Sequence, residues 1–331
     1  MSNEVKKAHR AFRIAGPDAW QKMLAFASLI ILLVIFSFAS PNFFKMDNLV
    51  AIMLATAVNG VLSIAVTFVI ITAGIDLSVG FVMTFSAVLA GICITNLGLP
   101  IWVGIAAALA TGAVCGALSG AMVAKMKIAP FIATLGMMMF TKGLSLVISG
   151  TKPIYFSNTP EFSSISMDSV VGMACPFLPI PNAVLVFFTI AVISGFILNK
   201  TVLGRYTFAL GSNEEAIRLS GVNVDRWKIV IYSLCGLLCG IAGILIASRL
   251  NSAQPALGTG YETDAIAAAV IGGASLSGGA GTILGTVIGA FIISVLTNGL
   301  RILSVPQEWQ IVVTGGIIIF AVYMDILRRR K

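Results

Sequence analysis

Few side chains in this sequence could do chemistry within its apolar stretches. Asp76, in Gly74-Ile75-Asp76-Leu77-Ser78-Val79-Gly80, is the one acidic residue bounded on both sides by long apolar runs. An ionisable group inside a membrane segment is a functional candidate by default. Asp76 and Ser78 also stand where a helix begins, so N-capping is the favoured explanation, and it extends to Ser275 and Ser277. The single histidine, His9, lies in the N-terminal tail. No G-x-x-x-x-G-K-[ST] is present to cradle a nucleotide, and there is no H-E-x-x-H and no G-x-S-x-G elbow. Cys93, Cys115, Cys235 and Cys239 fall inside apolar runs and Cys175 in a polar connection, without any C-x-x-C. They read as small apolar filler, not as a disulfide framework or a metal site. The chain is expected to catalyse nothing and to hold no cofactor. A proton-coupled carrier needs a chain of intramembrane acids or histidines, and Asp76 stands nearly alone.

The second candidate is polar. In the loop 200–228, Ser212-Asn213-Glu214-Glu215 fits a capping box with Ser212 at the N-cap and Glu215 at N3. Ala216, Ile217, Arg218 and Leu219 continue a two-turn helix, and Gly221 supplies its stop. So short a helix is marginal by itself and is expected to pack against something. On spacing alone it is an ordinary capped loop helix or a docking knob for a cytoplasmic partner.

The elements that carry these residues follow from composition. The 331 residues include 21 Lys+Arg and 13 Asp+Glu, so 10% are charged, where soluble domains carry about 25%. The hydrophobic share is 58%. These values exclude an ordinary soluble protein, a disordered chain and a nucleic-acid binder, and point to an integral membrane protein. The net charge of +8 needs no acidic partner, because a polytopic protein collects Lys and Arg in its cytoplasmic loops.

A membrane-crossing helix takes about 20 mostly apolar residues. Such runs are Met23–Ala39, Leu49–Ala73, Leu77–Leu97, Pro100–Ala124, Ile128–Gly150, Ala183–Leu198, Ile229–Leu250, Ala280–Leu300 and Trp309–Tyr323. A shorter piece, Ala265–Leu276, is a re-entrant half-helix or a crossing extended by Glu262–Asp264. Counting it as a crossing, with the N-terminus in the cytoplasm, places four basic clusters inside. These are Lys6, Lys7, Arg10, Arg13 and Lys22; Lys125 and Lys127; Lys200, Arg205, Arg218, Arg226 and Lys228; and Arg328 to Lys331. That satisfies the positive-inside rule. The expected chain is all-α and polytopic, with about ten transmembrane helices and both termini cytoplasmic. It divides into a tail 1–22, a transmembrane domain 23–327 with a cytoplasmic loop 200–228, and a basic end 328–331. The first apolar run is read as an uncleaved helix, since it lacks a clean cleavage site. The external connection 151–182, with Pro153, Pro160, Pro176, Pro179 and Pro181, is too broken for a long helix.

Glycines recur at four-residue spacing in Gly112, Gly116 and Gly120, in Gly236 and Gly240, and in Gly281, Gly285 and Gly289. Small residues at that period let helix backbones approach closely in lipid, and intramolecular packing is the default reading. An internal repeat pairs Gly74–Gly80 with Gly273–Gly279 as G-x-[DS]-L-S-x-G. Both copies follow a helix running inward, so two related halves are expected.

Four stretches together resemble the permease subunits of bacterial ATP-binding-cassette importers for monosaccharides, of the ribose-permease type. They are Gly74 to Gly80; Ala129-Pro130-Phe131-Ile132-Ala133-Thr134-Leu135-Gly136; Gly204 to Val222; and Asp264 to Gly273 leading into Leu276-Ser277-Gly278-Gly279. The resemblance covers roughly residues 41–325 and leaves out the N-terminal tail. It implies a multi-pass protein of the bacterial inner membrane. It also implies a cytoplasmic ATPase partner that carries ATP and Mg, a periplasmic sugar-binding protein, and a second permease copy or paralogue. The helix for coupling to the ATPase would comprise Gly211, Ser212, Asn213, Glu214, Glu215, Ala216, Ile217, Arg218, Leu219 and Gly221. Family motif residues near the pathway would be Gly74, Asp76, Ser78, Gly80, Pro130, Thr134, Asp264, Gly273, Ser277 and Gly279. Many relatives carry a small residue where Glu214 or Glu215 stands, which implies a charge-adjusted ATPase surface. A ribose-like sugar is the expected cargo; autoinducer-2-like, inositol or nucleoside substrates are the alternatives within the same architecture, and an ion-coupled carrier is the alternative outside it. Asn59, Thr134, Ser248 and Asn298, polar within apolar runs, are expected to hydrogen-bond between helices.

Overall fold

The structure is a computed structural model that describes residues 17–174 and 179–329. His9, Cys175, Pro176, Arg330 and Lys331, with the basic residues ahead of Pro17, lie outside the described residues. The helices in chain order are α1 (Pro17–Ala39), α2 (Met46–Ile71), α3 (Val79–Asn96), α4 (Ile101–Ala124) and α5 (Pro130–Ser149). After strand β1 (Ile154–Tyr155) come α6 (Glu161–Met167), α7 (Val170–Ala174), α8 (Asn182–Lys200), α9 (Val202–Ser212), α10 (Glu214–Leu219) and α11 (Val224–Leu250). Strand β2 (Ser252–Ala253) precedes α12 (Tyr261–Ile271), α13 (Ile283–Ile302) and α14 (Gln307–Arg329). Among the described residues, seven helices are long and apolar enough to cross a bilayer, and α1, α12 and α14 stand at the three further expected positions. Helix α1 begins at Pro17, where a proline suits the first helical turn, ahead of the apolar run Met23–Ala39.

Helix ends follow local chemistry. Pro130 occupies the first turn of α5, and Gly150 closes that helix in the left-handed region at φ 62°. The last turn of α3 widens into a π-helix over Ile92–Asn96, and the connection after α5 breaks into short pieces at its prolines, as expected. The most enclosed helices are α2, α3 and α11, whereas α4, α5 and α8 keep more of their surface outward. Lipid tails are as apolar as leucine, so packing geometry, not apolarity, must select which faces meet.

That selection is visible between α4 and α11. A Cβ built on Gly112 would collide with the Gly236 carbonyl oxygen, one on Gly236 with that of Gly112, and one on Gly116 with that of Tyr232. A second seam joins α12 and α13, where a Cβ on Gly289 would strike the Ala268 carbonyl and one on Gly285 that of Gly272. The spaced glycines therefore pack within the chain. Gly281 is an exception, since it precedes α13 and lies against Ile71 instead.

The segment around α12 reaches from one face of the bundle to the other, only part of it as helix. Its 11 residues rise about 16 Å at 1.5 Å each, against a hydrocarbon core of about 30 Å. Upstream, β2 pairs antiparallel with β1 of the connection 151–182, Ile154 opposite Ala253. Downstream, the Gly279 N–H donates to the Ile71 carbonyl (2.8 Å), and Gly279 also approaches Gly211 at the end of α9. The chain thus passes from the face of β1 to the face of loop 200–228. Non-helical residues 254–260 make up the distance, and Gly258 is packed backbone to backbone on Gly80. Such a stretch is tolerated at depth where protein covers it. The helix takes in Glu262 and Asp264, as the extended reading of Ala265–Leu276 had it, and stops at Ile271, short of Leu276.

Candidate functional site

Both copies of the repeat are turns following a helix that ends on the face of loop 200–228. Helix α2 ends with Ala73 at φ 60° and the Gly74 N–H returning to Val69 O (3.1 Å). Helix α12 ends with Gly273 at φ 100° and the Ala274 N–H returning to Ala269 O (2.9 Å). In the first copy the Ser78 N–H (2.8 Å) and hydroxyl (2.6 Å) donate to Asp76 Oδ1. In the second the Ser277 N–H donates to Ser275 Oγ (3.3 Å). The same pair of turns recurs, with Ile75 as one extra residue in the first.

Asp76 is not the cap of α3. The N-cap position is Ser78, with no side-chain cap bond, and Asp76 closes an Asx turn just before it. Likewise α13 is capped by Thr282, whose hydroxyl accepts from the Gly285 N–H, so Ser275 and Ser277 do not cap it. The Asp76 side is 3% exposed, and its Oδ2 accepts a long contact from Cys235 Sγ (3.8 Å). Thr134 pins the same turn: its hydroxyl accepts from the Leu77 N–H (3.2 Å) and faces the carbonyls of Ile75 (3.1 Å) and Pro130 (2.9 Å). Asp76→Asn keeps the acceptor and is expected to leave uptake within about twofold, since Asn and Asp serve Asx turns alike. Asp76→Ala strands a buried N–H, costing about 1–3 kcal/mol, and is expected to lower the melting temperature measurably. Loss of transport in a well-folded Asp76→Asn protein would instead require the charge.

The expected capping box is shifted by one residue. Asn213, extended at φ −162°, is the N-cap of α10, its Oδ1 accepting from the Ala216 N–H (2.9 Å). Ser212 ends α9 and donates to the Phe208 carbonyl (2.9 Å). Asn caps as well as Ser, and spacing alone did not separate them. At the other end, Gly221 at φ 81° donates to Arg218 O (3.1 Å) and Val222 to Ile217 O (3.4 Å), a Schellman closure.

The six-residue α10 has two faces. Ile217 packs on the core, while Glu215, Ala216 and Leu219 face outward, Leu219 being 83% exposed. Glu214 turns back to Lys228 Nζ (2.6 Å) and to Arg218 (3.1 Å). Burial would raise the Glu214 pKa, but the hydrogen bonds and charges of Lys228 and Arg218 outweigh it and hold the carboxyl below its ordinary value. A depressed acid contributes stability above its unfolded-state pKa and loses it as pH falls through the folded value. Helix α10 should therefore loosen only in acid, with no change near neutrality, as hydrogen exchange against pH would show.

The end of α9, just ahead of α10, touches both repeat turns. A Cβ on Gly211 would collide with the Ile71 carbonyl and stand 2.5 Å from the Gly279 nitrogen, and one on Gly278 would lie 2.7 Å from the Gly211 carbonyl and 2.9 Å from Ala73 Cβ. Gly74 lies under the Tyr232 ring hydroxyl, and Gly80 under Gly258 and Glu262. Asp264 stands elsewhere, in the first turn of α12 beside Tyr261 and Glu262. Sequence reasoning did not select Tyr232, Lys228, Asp225 or Lys127, whose roles depend on partners distant in the chain. Of the four polar residues expected to bond between helices, Ser248 of α11 pairs with the Ser166 hydroxyl of α6, while Thr134 bonds from α5 to the turn between α2 and α3. Asn59 and Asn298 each keep a buried side-chain oxygen without a protein partner among the described residues.

At the opposite face, a cavity of about 510 Å³ is bounded by Asp47 and Leu54 of α2, Met167, Pro181, and Arg249 of α11.

Comparison with known proteins agrees with this architecture. The chain is 44% identical to the ribose import permease protein of Escherichia coli (strain K12), over 93% of this chain and 94% of that protein. Against the ribose import permease protein of Bacillus subtilis (strain 168) the identity is 42%, over 95% of each. The D-allose transport system permease protein of Escherichia coli (strain K12) is 36% identical over 93% of this chain and 92% of its own length. No solved structure matches the chain significantly. The profile of the family described as "Branched-chain amino acid transport system / permease component" matches residues 48–322, and this multi-pass membrane protein belongs to that family.

Proposed function

We propose that the chain is the membrane permease subunit of an ATP-binding-cassette importer and forms the pathway for a monosaccharide, ribose or a close relative. The observation that carries this reading is the 44% identity to a ribose import permease along nearly the whole of both chains. The D-allose relative, at 36%, supports the same class of cargo with a different sugar. An uncharged sugar needs small and hydroxyl groups more than charges, which suits spans holding few ionised residues.

In this reading, α10 docks in a cytoplasmic ATPase that carries ATP and Mg, and this chain hydrolyses nothing. A soluble binding protein delivers the sugar at the opposite face, where the cavity beside Arg249 opens, and a second permease copy or paralogue completes the pathway. ATP drives the switch because it binds the closed ATPase more tightly than the open one. The protein lies in the bacterial inner membrane with both termini and loop 200–228 in the cytoplasm. A cysteine at the exposed Ser157 should then be labelled by an impermeant maleimide in intact spheroplasts; labelling only after lysis would invert the topology.

The deciding experiment is gentle purification of the chain from native membranes, followed by mass spectrometry and by sugar uptake in cells. An ATPase subunit in stoichiometric quantity, with ribose uptake that survives a protonophore while internal ATP is maintained, is the expected result. A chain that emerges alone, with uptake abolished by the protonophore, would make it an ion-coupled carrier.

A further inference from the structure

Helix α10 carries two adjacent glutamates with opposite orientations. We infer that Glu214 is a positioning residue that braces α10 against the membrane helices, so that force applied to α10 reaches α11 and the α4–α5 turn; Glu215, Ala216 and Leu219 are left as the outward face. This rests on the reading of α10 as the docking helix.

The brace is a chain of five charges that alternate in sign. Lys228 of α11 lies 2.6 Å from Glu214, and Glu214 lies 3.1 Å from Arg218. Arg218 lies 3.7 Å from Asp225 in the first turn of α11, and Asp225 lies 3.0 Å from Lys127 in the turn between α4 and α5. Three separate parts of the sequence are joined in this way. Isolated surface ion pairs contribute little, but a network of them is worth more. The Glu214–Lys228 link is the best shielded, with Lys228 only 16% exposed.

The brace is mechanically necessary because α10 has little else. A six-residue helix is not stable by itself, and only Ile217 packs on the core. Its ends are a glycine closure and an extended asparagine. Without Glu214 a moving partner would pull α10 out of shape before it shifted α11. The two glutamates, which sequence reasoning assigned together to the ATPase surface, therefore have separate tasks.

The test uses Glu214→Gln, which removes the charge and keeps the size. In the purified full chain in nanodiscs, hydrogen exchange over residues 215–222 should run about threefold to tenfold faster than in the parent, a range set by a small ion network. High salt should bring the parent towards the variant, because screening shortens to about 3 Å at 1 M. In the assembled transporter the ATPase should still co-purify, while sugar imported per ATP hydrolysed falls about fivefold. Glu214→Asp, which keeps the charge, should recover most of both.

Unchanged exchange would overturn the inference. So would faster exchange with an unchanged sugar-per-ATP ratio, and so would loss of the ATPase on Glu214→Gln, which would place Glu214 in the docking face. The exchange readout needs no partner, so it judges the brace separately from the docking reading, which a variant at Leu219 tests.

Discussion

Gly236→Leu is expected to leave almost no folded protein in the membrane. Helices α4 and α11 meet through glycine backbones, and a single added Cβ at Gly236 already collides with the Gly112 carbonyl. No flexible side chain stands at that point to swing aside, so the helices must part along the seam. Overpacking a tight core costs about 1–3 kcal/mol or more, and parting the seam also forfeits the contacts that hold helices together where lipid supplies no hydrophobic drive. Gly236→Ala should lower the melting temperature in detergent by several degrees, and Gly236→Leu should reduce the purified yield at least tenfold. Leucine at Gly136 or Gly143, where an added Cβ meets nothing, is the matched control and should accumulate normally. Normal yield and melting of Gly236→Leu would mean that the seam does not hold the bundle.

The second large effect is functional and leaves the fold alone. Leu219 is 83% exposed on α10, so Leu219→Asp removes almost no internal packing and should melt like the parent. As the apolar centre of a docked face, the same residue would be desolvated by the partner. Anchors of that kind cost about 2 kcal/mol or more when lost, close to thirtyfold in affinity, and a buried carboxylate adds to it. The expected result is at least a tenfold loss of ATPase co-purification and of sugar uptake, with membrane abundance unchanged. Uptake at the parent rate would remove α10 from the ATPase interface.

The sequence was most informative where physics acts locally. Long apolar runs located the crossings, because a bilayer demands them at a fixed length. The glycine period named the α4–α11 seam, and Gly221 closes α10 as its position indicated. What was illegible depended on residues far away in the chain. Nothing near Glu214 signals that it turns to Lys228 while Glu215 turns away. Asp76 resembled a cap, and only the fold shows that it closes a turn pinned by Thr134 from α5. The end of α12 was missed because its apolar run continues past the helix into the glycine turn, whereas its start among Glu262 and Asp264 was one of the two readings the run allowed.

The half-length of α12 has a consequence for how the protein is made. A segment enters the bilayer from the translocation channel when its own hydrophobicity makes that favourable, and Asp or Glu weighs heavily against entry. Helix α12 offers 11 residues, with Glu262 and Asp264 in its first turn, so it cannot partition on its own merits as it leaves the ribosome. Its place is prepared by segments on either side: α11 and α3 are synthesised before it, and the glycine face of α13 only after it. Entry of α12 is thus expected to depend on its neighbours, and a chain truncated ahead of α13 should leave α12 without the glycine face it packs on.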